Sequence, residues 1–328
     1  MTITSVNYMG LKLKSPFIAS SSGFTTKIDN LVALEKAGAG AIVLKSLFEE
    51  QIENHAQFLN DQSSAYTENL DYLHFYLKEH TLREYSNLIK QAKENCTIPI
   101  IASINCFTAG NWLDFAKEIE LAGADALEVN IYSMPILKNK DSNTLEAEYL
   151  KIIKDICSAI KIPVAVKIAD TFTTLPRFVE SLNLCGAKGV VLFNKFYTPD
   201  IDIKTLTLKS AEPLTNTSNY GNSLRWIAII SPMVRGMQFS ASNGVMKPED
   251  AIKLILAGAT SVQLCSVLYK NGAAIVEDFN KKLIEFMGEK GFNTIDSFCG
   301  KLNYSSILPP DTPEKYERFQ FIKTFWTK

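Results

Sequence analysis

Short apolar runs alternate along this chain with longer stretches whose apolar residues recur every three or four positions. Runs of about six residues rich in Val, Ile and Leu read as parallel strands buried on both faces, and the longer stretches read as amphipathic helices. Four runs follow one signal, a helix ending in Ala/Cys-Gly-Ala. These are Ala37-Gly38-Ala39 before AIVLKS, Ala122-Gly123-Ala124 before ALEVNI, Cys185-Gly186-Ala187 before GVVLFN and Ala257-Gly258-Ala259 before SVQLCS. Glycine at a helix end supplies the left-handed cap conformation. Alternating with them, Ile98-Pro99 leads into IIASI and Ile162-Pro163 into VAVKI, while PFIAS near residue 16 and MQFSAS near residue 237 complete the set. Proline at a strand's first residue needs no ladder donor there. Helical stretches such as IDNLVALEKAG, NWLDFAKEIELAG, LEAEYLKIIKDICSAI and PEDAIKLILAG lie between. Eight strand–helix units result. A repeat that spans the whole chain favours a closed barrel over an open doubly wound sheet.

Two segments exceed a minimal barrel. Residues 47–80 form an excursion after strand two, and residues 195–220 form another after strand six, where the alternation in IDIKTLTLKS suggests a hairpin. Long loops in compact domains are often lids or binding loops, and both leave the carboxyl ends of strands, where barrel enzymes keep their chemistry. The expected architecture is therefore α/β, a (β/α)8 TIM barrel with long insertions after strands two and six. Residues 1–304 are read as one barrel domain, and residues 305–328 as a tail that packs on the barrel or on a partner chain.

Composition narrows the function classes. The 328 residues carry 34 Lys+Arg against 35 Asp+Glu, a net charge of −1, so no basic surface calls for nucleic acid or an anionic membrane. No apolar stretch approaches the ~20 residues of a membrane span. The opening MTITSVNYMG lacks a basic start followed by an apolar run, so a cytoplasmic protein is expected. The cysteines Cys96, Cys106, Cys157, Cys185, Cys265 and Cys299 form no C-x-x-C pair and read as free buried thiols. The histidines His55, His74 and His80 fit no common zinc spacing, and no metal is expected.

Candidate chemistry gathers where the strands turn polar. Strand one ends in Ala19-Ser20-Ser21-Ser22-Gly23, strand two in Lys45-Ser46, strand three in Ser103 and Asn105, and strand four in Asn130. Strand five carries Lys167, strand six ends in Asn194, strand seven in Ser240 and Ser242-Asn243-Gly244, and strand eight in Ser266. A lysine inside an apolar strand is costly to bury without a partner. It can snorkel out of the barrel end, face an anionic ligand, or serve as a Schiff-base nucleophile. Ser242-Asn243-Gly244-Val245 precedes a helix starting near Pro248, and Cys265-Ser266 one near Gly272. Loops after strands seven and eight are where barrels frequently hold phosphate.

At these residues the sequence resembles the dihydroorotate dehydrogenase family, in particular its soluble members, from about residue 7 to about 303. NYMGLKLKSPFIASSSGF, AGAGAIVLKS, LEVNIYSMP, IPVAVKI and the stretch from AGATSVQLCSVLYKNG to SFCGKL carry the resemblance. It implies a bound FMN, with Ala19, Ser20 and Gly23 in the flavin-contacting turn and the Lys45-Ser46 pair beside it. It further implies that Lys45, Asn130 and Lys167 contact the flavin ring and ribityl chain, and that the backbone at Asn243, Gly244, Cys265 and Ser266 holds the phosphate. The implied reaction is oxidation of dihydroorotate, or a related small carboxylate, to orotate in pyrimidine biosynthesis. Hydride would pass to flavin N5, Ser133 would act as base, Asn130 and Asn194 would orient the substrate, and Lys45 would balance its charge. A homodimer is implied by the soluble members. The chain departs from the family at the substrate: Ser63 to Asn69 stand in place of the orotate-gripping loop, Met134-Pro135 follow the base position, and Asn194-Lys195 replace an Asn-Ser pair. Alternatives are a flavoprotein acting on another substrate, a non-catalytic flavin-binding barrel, and an aldolase using Lys167.

Overall fold

The computed structural model describes residues 3–48, 68–105, 109–131, 140–195, 199–210, 214–215 and 218–307. The chain opens with an antiparallel hairpin of β1 (Val6–Tyr8) and β2 (Leu11–Leu13), turned by Met9 and Gly10 at positive φ. The barrel strands then follow: β3 (Phe17–Ala19), β4 (Ala41–Val43), and, after the short β5 (Leu47–Phe48), β6 (Ile100–Asn105). They continue as β7 (Ala126–Asn130), β8 (Val164–Ile168) and β9 (Gly189–Leu192). The hairpin β10 (Pro199–Asp202) and β11 (Thr207–Ser210) precedes the last pair, β12 (Gln238–Ala241) and β13 (Ser261–Leu264).

All eight expected strands form, each pairing in parallel with the next, and β13 returns to β3 through Val262↔Phe17 and Leu264↔Ala19. The sheet is therefore a closed (β/α)8 barrel. Helices Ile28–Lys36, Ala109–Leu121, Ser142–Ala159, Leu175–Leu184, Gly221–Ile230 and Pro248–Ala257 lie between strands. Their buried residues, for instance Ile153, Ile156, Phe178, Val179 and Leu182, form the outer apolar layer with outward strand residues such as Leu127 and Val129. The glycine of each repeated helix-end signal adopts positive φ, from +90° at Gly38 to +122° at Gly258, as a left-handed cap requires.

Four expectations need adjustment. Part of the excursion at 47–80 is helix, because the helix before β6 spans Glu68–Asn95. Leu70, Leu73 and Leu77 fall at helical spacing in that sequence. The helix expected near Gly272 is Ile275–Lys290, and an additional short helix, Ser266–Asn271, precedes it and leads directly out of β13. Of the described cysteines only Cys96 is fully buried; Cys157, Cys185, Cys265 and Cys299 are half-buried. The N-terminal hairpin had no strand assigned to it. It closes the barrel floor, where the Gln238 side chain accepts a hydrogen bond from Met9 N and donates one to Asn7 O. The hairpin expected after strand six is present, in register Ile201↔Leu208. The expected tail falls largely at 308–328, outside the described residues.

Candidate active site

Alternation along a strand sends every second side chain into the barrel. Glu128 and Asn130 therefore share the inward face of β7, Lys167 projects inward from β8, and Gln263 from β13. They meet in fact: Lys167 Nζ donates to Gln263 Oε1 at 2.9 Å and Ser20 Oγ at 3.2 Å, and lies 3.5 Å from Glu128 Oε1. Gln263 Nε2 donates to Glu128 Oε2 at 2.6 Å, and Ser20 Oγ donates to Gln263 Oε1 at 3.0 Å. Residues from the first, fourth, fifth and eighth barrel strands can converge only inside the barrel. Glu128 is 1% exposed and Lys167 6%, so Lys167 does not snorkel out of the end; it is a buried ammonium with its own counter-ion. Below the pair, Tyr8 is buried, and burial first, with the Glu128 charge second, drives its phenol pKa upward. Its hydroxyl stays protonated.

Above this layer lies the rim. Asn194 Nδ2 donates to Asn130 Oδ1 at 3.1 Å, which joins the fourth and sixth strand tips. Ser21 Oγ, Ser46 Oγ and Ser103 Oγ form a hydroxyl chain with links of 3.0 and 2.7 Å across the first, second and third tips. Tyr85 on the helix Glu68–Asn95 clamps that chain from outside. It accepts from Ser103 N and donates to Ser103 O, and burial pushes its own hydroxyl pKa up. Lys45 is half-buried between Leu44, whose N–H still pairs with Ile101 O, and buried Ser46. Gly23 lies at the open side of the first tip, where a Cβ would come 2.8 Å from Tyr269 OH.

The seventh tip is shaped by backbone geometry. Asn243 and Gly244 both take positive φ, +77° and +74°. A Cβ on Gly244 would lie 2.2 Å from the Asn219 carbonyl carbon, so only glycine fits. Asn219 N donates to Gly244 O at 3.0 Å. Asp250, buried at the start of its helix, accepts from Met246 N, Lys247 N and Ser218 Oγ at 3.1, 3.0 and 2.6 Å, and so ties both loops to the helix. At the eighth tip, Ser266 Oγ accepts from Thr215 N at 3.0 Å. Burial pushes the Cys265 thiol pKa up, with Lys167 pulling the other way.

Ala19, Ser20, Gly23, Lys45, Ser46, Asn130, Lys167, Asn194, Asn243, Gly244, Cys265 and Ser266 thus all lie at the carboxyl ends of barrel strands or just beyond them. Ser133 lies outside the described residues. Sequence reading passed over Glu128, Gln263 and Asp250. A signal for two of them existed: Glu in ALEVN and Gln in SVQL interrupt strands that are otherwise apolar, as Lys167 does. Among the described residues no group of His, Cys, Asp or Glu is placed to hold a metal ion, and no helix is long and apolar enough to cross a membrane.

A closed parallel barrel with convergent polar groups at its carboxyl rim defines the class of (β/α)8 barrel enzymes. Within that class the chain belongs to the dihydroorotate dehydrogenase family, whose model matches residues 3–287, and it is an oxidoreductase of that family. Similar curated proteins include the NAD-dependent dihydropyrimidine dehydrogenase subunit PreA of Escherichia coli (strain K12), 23% identical over 95% of this chain and 80% of that protein. The dihydroorotate dehydrogenase B (NAD(+)) catalytic subunit of Endomicrobium trichonymphae is 25% identical over 91% of this chain and 97% of its own length. A putative dihydroorotate dehydrogenase A (fumarate) of Aeropyrum pernix is 25% identical over 90% and 96%.

Proposed function

We propose that the protein uses FMN to interconvert a small dihydropyrimidine, dihydroorotate or a related carboxylate, with its CH–CH-oxidised product. The single observation that carries this reading is the meeting of Lys167, Ser20 and Gln263 beside the Asn130–Asn194 pair, Asn130 being the register neighbour of Lys167. The donor set suits a flavin: an ammonium and amides for a polar ring edge, and a rewound backbone at Asn243-Gly244 that turns amides outward for a phosphate. FMN, when bound, supplies the two-electron acceptor that no side chain can.

This chain's residues would divide the remaining work. Lys167 and Ser20 hold the ring edge, while Asn243, Gly244, Cys265 and Ser266 present backbone to the phosphate. Asn130 and Asn194 are locked to each other, so their remaining amide donors and acceptors are pre-oriented for a planar substrate. Lys45 offers positive charge at the rim to a substrate carboxylate. Ser133, in the segment after β7, is assigned the base that takes the ring proton. The aldolase alternative is the weaker reading: the Lys167 amine is already engaged by Gln263, Ser20 and Glu128, which hold it in the barrel interior as a fixed donor.

The relatives' names divide between dihydroorotate and dihydropyrimidine, and the substrate-facing residues depart from the first. The deciding experiment is an absorbance spectrum of the purified protein reconstituted with FMN, followed by anaerobic addition of dihydroorotate and, separately, dihydrouracil. Bleaching of the flavin bands by dihydroorotate is expected, and bleaching by dihydrouracil alone would refute the carboxylate and the role given to Lys45. A colourless protein after reconstitution refutes the cofactor, and a coloured protein that neither compound bleaches refutes the substrate class.

A further inference from the structure

We infer that Glu128 is a positioning residue for Lys167 and thereby sets the electron affinity of the bound flavin; the inference rests on the FMN reading above. Three observations carry it. First, the carboxylate is buried in the barrel interior, and Lys167 is the cation it faces, at 3.5 Å. Buried ion pairs are weak devices for stability, since apolar residues of similar volume commonly do as well or better. Packing alone gives no reason to keep one here.

Second, the carboxylate dictates the orientation of Gln263. With Nε2 held by Glu128 at 2.6 Å, the Gln263 oxygen must face Lys167 and Ser20, and it accepts from both. The ammonium is thus fixed by an amide that is itself fixed by Glu128. Third, the two carboxylate oxygens divide their partners: Oε2 accepts from Gln263, while Oε1 has no hydrogen bond and faces the Lys167 ammonium at 3.5 Å.

A fixed positive charge beside a flavin favours its reduced, anionic form, and a carboxylate behind that charge attenuates the effect. Removing the carboxylate has two consequences. The ammonium acts undiminished, and Gln263 is free to invert. Holoprotein carrying E128Q is therefore expected to show a flavin midpoint potential above that of the wild type. Its affinity for sulfite, a probe of positive charge near the flavin, should rise at least ten-fold. Q263E adds a second carboxylate beside Lys167 and should move both quantities the opposite way, and E128D should restore most of the wild-type behaviour. A merely structural role for Glu128 would alter melting temperature and leave the potential in place. Wild-type potential and sulfite affinity in folded E128Q holoprotein overturn this inference alone. Where E128Q yields no folded holoprotein, Q263E decides by the same criterion. Wild-type protein that takes up no FMN overturns the cofactor reading and this inference with it.

Discussion

Lys167 illustrates how one side chain can serve the fold and the site together. Its replacement by alanine removes a proposed cofactor donor and also strands Glu128, a buried carboxylate, without its ion-pair partner. Breaking one half of a buried pair costs about 3–5 kcal/mol, whereas replacing both halves by apolar residues is often neutral. Lys167→Ala is thus expected to lower both FMN retention and the melting temperature. Adding Glu128→Leu to Lys167→Met should recover most of the melting temperature and none of the FMN binding. A double variant as unstable as Lys167→Ala would contradict the pairing. Ser133 has a different signature: Ser133→Ala should retain FMN fully while flavin reduction slows by roughly two orders of magnitude or more, the usual contribution of a positioned base. Reduction at the wild-type rate in stopped flow would take Ser133 out of the mechanism.

At the scale of the element, the loop after β12 carries most of the shape of the proposed phosphate cradle. Gly244 combines a left-handed backbone with the absence of any room for a Cβ beside Asn219. Gly244→Ala is expected to cost about 1–2 kcal/mol from backbone strain alone, with the clash in addition. It should weaken FMN while sparing riboflavin, which lacks the phosphate. Equal weakening of the two, measured by fluorescence titration, would locate the phosphate elsewhere. Asp250→Asn should loosen the same loop, because three donors lose a full carboxylate. The strands themselves were plain in the sequence, since a helix-end glycine followed by a short apolar run is a local signal. Asp250 was not legible: an acidic residue in the first turn of a helix is the ordinary macrodipole choice, and nothing local shows that it reaches back to Met246 and Ser218. The Glu128–Lys167–Gln263 cluster had the opposite character. Each member was visible as a polar break in an apolar run, but their convergence depends on closure of the barrel, which only tertiary structure supplies.

For the whole molecule, the thiols give a pH dependence of known sign. Burial, followed by smaller charge effects from Glu35, Cys185 and Asp296 respectively, pushes Cys96 and Cys157 up to about 11 and Cys299 up to about 12. A thiol whose value is raised on folding contributes its stability below the unfolded value and loses it as pH climbs through the folded one. The melting temperature should therefore decline between about pH 9, the ordinary thiol value, and pH 11–12, and Cys299→Ala should flatten part of that decline. The same protonated thiols should react slowly with alkylating reagents at pH 8 in native protein and promptly after denaturation. Rapid native labelling at Cys299 would be inconsistent with its burial.

The pairing of β13 with β3 joins residues 261–264 to residues 17–19. During synthesis, the first strand must therefore wait, with one edge open, until residues 261–264 have left the ribosome. Nascent chains that stop short of Leu264 carry an unsealed row of backbone donors and acceptors beside Phe17 and Ile18, and such edges invite pairing with strangers. Completing the ring is a late event in the life of each molecule, and fragments released before it should depend on chaperones to remain in solution.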